Sequence, residues 1–134
     1  MPEIKNDSIN ILLIEDNPGD AHLVQELLKK AQNLQVNVLL ADSLAKGLKC
    51  IAAEHLHVVM LDLNLPDSHG IDTFRNVHKF ALSIPVVIMS ILSDKELIYQ
   101  AMREGAQDYF IKGQIENEAL IRSIRYAVWS RNAA

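Results

Sequence analysis

The sequence predicts an α/β fold in three layers: an open, doubly wound parallel sheet of five strands, with five helices over its two faces. Three observations carry this. Short, nearly continuous apolar runs alternate five times with stretches of helical apolar spacing. Each run stops at polar or turn-forming residues, as parallel strands buried on both faces do. The connections are short and there is no internal linker, so right-handed crossovers place the helices on both sides of one sheet.

The first strand is residues 9–14 (INILLI). Behind it, Asn17, Pro18 and Asp20 read as an N-cap, a proline in the first turn and an acid at the third helical position. Val24, Leu27, Leu28 and Ala31 then keep helical spacing. Residues 36–40 form the second strand, and Asp42 or Ser43 caps a helix carrying Leu44, Leu48, Ile51 and Ala52. The third strand, 58–61, ends at Asp62. Residues 64–70 (NLPDSHG) are a loop by composition. Ile71, Phe74, Val77 and His78 follow as a helix. Pro85 opens the fourth strand, 86–89, which ends at Ser90. Ser93 or Asp94 caps the next helix, with Leu97, Ile98, Ala101 and Met102, and Gly105 stops it. The fifth strand, 109–111, ends at Lys112 and Gly113. The last helix begins near Glu116 and carries Leu120, Ile124, Ala127 and Val128. Its length admits two readings: packing at the C-terminus, or continuation into a further domain.

Composition narrows the function. The chain of 134 residues is one domain's worth, with a core over about 8–128 and a tail at 129–134. It holds 13 Lys plus Arg against 17 Asp plus Glu, a net charge of −4, which suits a nucleic-acid backbone poorly. The single Cys50 excludes an internal disulfide and a Cys-rich metal cluster, and fits a reducing compartment. The N-terminus has no signal-peptide pattern, and no apolar stretch reaches the roughly 18 residues of a membrane span. The expected location is cytoplasmic, with no membrane partner.

Ligands of open α/β sheets bind beyond the carboxyl ends of the strands. Glu15 and Asp16 follow strand one, Asp62 strand three, Ser90 strand four and Lys112 strand five. Three carboxylates, a hydroxyl and an ammonium therefore converge on one edge. Taken singly, each has an ordinary explanation as a cap or turn residue. Together at four of five strand ends they are hard to obtain by chance. Clustered carboxylates repel, so one takes up a proton unless a cation relieves them. All-oxygen donors suit Mg²⁺ rather than zinc, and Mg²⁺ favours phosphate oxygens as co-ligands. The lysine and serine would hold phosphoryl oxygens, and an aspartate can accept a phosphoryl group covalently. The five histidines do not fall at metal-ligand spacing and read as surface or boundary residues.

With these residues in place, the chain resembles the receiver domain of two-component response regulators over essentially its whole length. The motifs are Glu15-Asp16, VVMLDLNLPD around Asp62 with Gly70 eight residues on, VVIMS ending at Ser90, and GAQDYFIKG around Lys112. The resemblance implies a flavodoxin-like fold with strand order 2-1-3-4-5. It implies that Asp62 is the phosphoacceptor, and that Glu15, Asp16, Asp62 and the backbone carbonyl of Asn64 hold Mg²⁺ or Mn²⁺. Lys112 then contacts the phosphoryl group, and Ser90 and Tyr109 form a switch pair. The implied donor is a histidine kinase or histidine phosphotransfer domain. An output or sensor domain after the last helix, and a homodimer through the fourth helix, fifth strand and fifth helix, are the other partners it allows. The implied module promotes only its own phosphorylation and dephosphorylation.

Three positions depart from the family pattern. Gly113 stands where proline is usual and should change the loop only slightly. Ile91 stands where a small residue is usual, and Leu92 beside it is apolar. With Asn64, these two positions are expected to tune access and hydrolysis. The endings around Gln107-Asp108-Tyr109 and Arg125-Tyr126-Ala127 resemble receivers joined to sensor kinases, cyclic-nucleotide-forming domains or phosphatases. Two other functions compete. A Mg²⁺ phosphatase with an aspartate nucleophile needs a second acid two residues on, where Asn64 stands, and carries its nucleophile after strand one. A receiver-like interaction module that is never phosphorylated would lack an acid or the lysine, and none is missing.

Overall fold

The computed structural model describes residues 8–133. Five strands form one parallel sheet: β1 (Ser8–Ile14), β2 (Gln35–Ala41), β3 (Val58–Asp62), β4 (Val86–Ser90) and β5 (Asp108–Ile111). Their spatial order is β2-β1-β3-β4-β5, the expected 2-1-3-4-5. The helices are α1 (Pro18–Lys29), α2 (Leu44–Ala53), α3 (Ile71–Ala81), α4 (Lys95–Arg103) and α5 (Asn117–Ala133).

The apolar runs explain the layering. Successive strand side chains point to opposite faces. Leu12, Ile14, Val59, Leu61 and Ile88 therefore pack with Leu44, Phe74, Val77 and Ala101 from α2, α3 and α4. Ile11, Leu13, Met60, Val87 and Met89 pack with Val24, Leu27, Leu120, Ile124 and Val128 from α1 and α5. A strand buried on both faces must be apolar at every position, so the central strands read as continuous runs. Each fully buried side chain of this size contributes about 1.5–3 kcal/mol. The later turns of α5 belong to this packing: Ala127 and Val128 are buried, and the Arg131 guanidinium donates to the Leu56 carbonyl at 2.9 Å.

Most helix ends follow the sequence. The Asn17 side chain accepts from the Asp20 N–H at 3.0 Å, with Pro18 in the first turn, and Ser43 accepts from the Lys46 N–H at 3.2 Å. Two places differ. A 3-10 turn, Leu92–Asp94, leads into α4, and neither Ser93 nor Asp94 caps it: Asp94 sits at the N-cap with no capping hydrogen bond. Its carboxylate instead accepts from the Ser90 hydroxyl at 3.3 Å. The segment expected to be an irregular loop contains a two-residue antiparallel ladder, Asn64–Leu65 with Ser68–His69. Asp67 at its tip accepts from the Leu44 and Ala45 N–H groups at 2.8 and 3.0 Å, capping α2 from across the chain. These bonds hold the Asp67 carboxyl below its ordinary pKa.

Gly47 lets α2 approach β1. A Cβ there would lie 2.4 Å from Ile14 Cδ1 and 2.9 Å from Cγ1, and Ile14 is fully buried. Alanine ordinarily favours a helix over glycine by about 1 kcal/mol. Overpacking a filled core costs about 1–3 kcal/mol. Gly47→Ala is therefore expected to lower the urea midpoint, against the propensity scale. An unchanged or raised midpoint would show that Ile14 has room to turn.

Candidate functional site

The carboxyl ends of β1, β3, β4 and β5 lie along one edge of the sheet. Asp62 and Ser90 are the last residues of their strands, and Glu15 and Lys112 directly follow theirs. Both followers remain hydrogen-bonded to the neighbouring strand: the Glu15 N–H donates to the Ala41 carbonyl at 2.9 Å, and the Lys112 N–H to the Ser90 carbonyl at 2.8 Å. Their backbones are thus fixed by the sheet before any side chain acts.

Carboxylate oxygens of Glu15, Asp16 and Asp62 lie within 4.8 Å of one another. The Glu15 and Asp62 side chains are 0% and 5% accessible, whereas Asp16 faces solvent. The Lys112 ammonium joins them. It donates to Asp62 Oδ2 at 2.7 Å and lies 2.7 Å from Glu15 Oε1 and 3.1 Å from Asp20 Oδ2. The Glu15 contact falls outside hydrogen-bond geometry and acts as an ion pair. Asp62 Oδ1 accepts from the Asn64 N–H at 3.0 Å, so each Asp62 oxygen has a donor. Glu15 Oε2 accepts from the Asn17 N–H at 3.2 Å.

Three carboxylates contact one ammonium, and a fourth, Asp16, lies beside two of them. Burial, then the neighbouring Asp62 carboxylate, pushes the Glu15 carboxyl up to about 7, and Lys112 and the Asn17 N–H only partly offset this. The repulsion expected of clustered acids thus falls on the most enclosed of them. Burial disfavours the Lys112 ammonium, but the Asp62 and Glu15 carboxylates outweigh it and hold its pKa above the ordinary lysine range.

The remaining predicted residues sit on β4 and β5 or in the turns that follow them. Ser90 is buried, with its hydroxyl engaged by Asp94. The Tyr109 ring is on the surface at 38% exposure, and Ile91 and Leu92 are more exposed still. Gly113 takes φ +86, a conformation open to glycine at little cost. Asp20 was legible only as an acid in the first turn of α1. It lies in the first turn of α1, and its carboxylate reaches to 3.1 Å from the Lys112 ammonium. His69, one of the histidines set aside, hydrogen-bonds the Asn64 side chain.

A parallel sheet with acids and a lysine gathered at its carboxyl edge defines a class: a doubly wound α/β domain whose site lies at the carboxyl ends of its strands. A family model, the response regulator receiver domain, matches residues 11–125. The chain belongs to the response regulator receiver domain family. It is 31% identical over 102 residues to the probable C4-dicarboxylate response regulator DctR of Bacillus subtilis, covering 76% of this chain and 45% of that protein. It is also 31% identical over 107 residues to the transcriptional regulatory protein ZraR of Escherichia coli, covering 80% of this chain and 24% of that one. The chain therefore spans less than half the length of these relatives. A crystal structure of a response regulator receiver domain protein from Clostridium thermocellum superposes with a TM-score of 0.82 at 26% identity, covering 93% of this chain and 98% of that one. Among the described residues no helix is long and apolar enough to cross a membrane.

Proposed function

We propose that this domain accepts a phosphoryl group on Asp62 from a phosphohistidine donor, a histidine kinase or histidine phosphotransfer domain, and thereby switches a protein-interaction surface. The observation that carries the reading is the setting of the Asp62 carboxylate. It is enclosed, held on one oxygen by the Asn64 N–H and on the other by the Lys112 ammonium, and set beside two further acids. A carboxylate oxygen attacks phosphorus, the phosphorus–nitrogen bond breaks, and its electron pair stays on the imidazole, which takes up a proton. Lys112 then holds a phosphoryl oxygen, and Ser90 can donate to another by leaving Asp94. Tyr109 moves inward as Ser90 moves, which alters the surface of α4, β5 and α5.

The donor set fits Mg²⁺. Three carboxylates converge, all donors are oxygen, and the acids exceed the single ammonium. Glu15, Asp16, Asp62 and the Asn64 carbonyl would hold it. Bound there, it supplies charge neutralisation for the transferring group. Such a domain is a switch and not an enzyme on a diffusible substrate, and the partners this reading allows are an output or sensor domain after α5 and a second copy docked through α4, β5 and α5. Intact-mass measurement after acetyl phosphate tests the reading. One added phosphoryl group with Mg²⁺ and none without it is expected, and no uptake under either condition contradicts it.

Ile91 sets access in this reading. Its branched side chain is stiff and stands directly after Ser90, where it crowds the line of attacking water. Ile91→Ala is expected to load faster from acetyl phosphate and to lose the group faster once donor is removed. Equal loading and decay in the two proteins would dispose of the gating role.

A further inference from the structure

Asp62 is followed by an unusually well-tied segment. In the ladder after β3, Asn64 stands opposite His69 and Leu65 opposite Ser68. Side chains directly opposite on an antiparallel pair meet. Here His69 Nδ1 and Asn64 Oδ1 lie 2.5 Å apart. An amide oxygen only accepts, so the ring nitrogen donates. The ladder cannot drift easily. Leu65 is buried, the Ser68 and Thr73 hydroxyls are 2.7 Å apart, the Gly70 N–H donates to the Leu63 carbonyl at 2.9 Å, and Asp67 is bonded to the start of α2. Asn64 therefore does two things at once. Its backbone N–H holds Asp62 Oδ1, and its exposed side chain stands at the mouth of the site, turned to His69.

We propose that His69 is a positioning residue that engages the Asn64 amide and so prolongs the lifetime of the phosphoryl group. This rests on Asp62 being the phosphoacceptor. In hydrolysis a water oxygen attacks phosphorus. The bond from phosphorus to the Asp62 oxygen breaks, its electron pair returns to the carboxylate, and the proton of water passes to the departing phosphate. The rate depends on how well that water is aligned, and small misplacement costs large factors. Asn64 Oδ1 is an acceptor suited to aligning it. While His69 donates to that oxygen, the amide is held away from this task. Leu92, the apolar neighbour after Ile91, offers no replacement acceptor through its side chain.

The test compares wild type, His69→Ala, His69→Asn, Asn64→Ala and the double Asn64→Ala/His69→Ala. Each is loaded with acetyl phosphate and Mg²⁺, freed of donor, and followed by intact mass, with a thermal melt to confirm folding. His69→Ala is expected to lose the group roughly fivefold faster, the factor that one ordinary hydrogen bond is worth. His69→Asn, which keeps a donor, should restore part of the slow decay. In the Asn64→Ala background, removing His69 should change nothing further. Wild-type decay in His69→Ala, or an undiminished acceleration in the Asn64→Ala background, would overturn the role of His69 and leave the phosphoacceptor reading standing. Failure of wild type to load at all would overturn both.

Discussion

Asp62→Asn is expected to take up no phosphoryl group from acetyl phosphate, at any Mg²⁺ concentration, while remaining folded. Asparagine has the same shape: its single oxygen can still accept from the Asn64 N–H, while Lys112 keeps Glu15 and Asp20 as partners. Asparagine lacks the negative oxygen that attacks phosphorus, and an amide oxygen is a far poorer nucleophile. The fold should not suffer, because the change removes one of three carboxylates around a single ammonium, with Asp16 close by. Like charges in one site raise each other's energy, so the variant should melt no lower than wild type without Mg²⁺. The check is an intact-mass time course beside a thermal melt. Uptake that persists in the folded variant would move the acceptor to a neighbour such as Asp16, and the assignment of Asp62 would fail.

Lys112→Ala should separate metal binding from phosphoryl transfer. The ammonium is paired with Asp62 and Glu15 in the resting protein and has no reason to help a divalent cation bind. Its removal leaves the acids mutually repelling and should leave Mg²⁺ affinity unchanged or raised. The thermal gain on adding Mg²⁺ should then be at least as large in the variant as in wild type, since a ligand stabilises by its affinity for the folded state. Transfer should behave oppositely. A preorganised charge aimed at the reacting group is typically worth a factor of roughly 100 or more in rate, and loading from acetyl phosphate should fall by about that much. Mg²⁺-dependent melts and loading rates measure the two effects separately. Much weaker Mg²⁺ stabilisation in Lys112→Ala, or undiminished loading, would contradict this role.

The sheet edge was legible because its logic is local. Strands buried on both faces must be apolar throughout, so Glu15, Asp62, Ser90 and Lys112 stand out as the first polar residues after each run. Strand order followed from the family resemblance and not from periodicity. What escaped depends on the path of loops. Asp67 caps α2, a helix that begins 23 residues before it, and no short motif records a cap supplied from so far away. The start of α4 offered Ser93 and Asp94 as caps, but Ser90 competes for the Asp94 carboxylate and the helix is entered through a 3-10 turn. His69 looked isolated because its partner is set by a ladder of two residues, too short to show a period of two. Gly47 carries no signal of its role in the sequence. Only the packing shows the Ile14 side chain lying where its Cβ would be.

The most direct measurement is to locate the phosphoryl group itself. Protein loaded with acetyl phosphate and Mg²⁺ is reduced with borohydride, which converts an acyl phosphate to an alcohol, and is then digested and sequenced by fragmentation mass spectrometry. The account predicts that Asp62 alone is recovered as homoserine, with Glu15, Asp16 and Asp20 intact. Reduction at one of those three with Asp62 unchanged would contradict it.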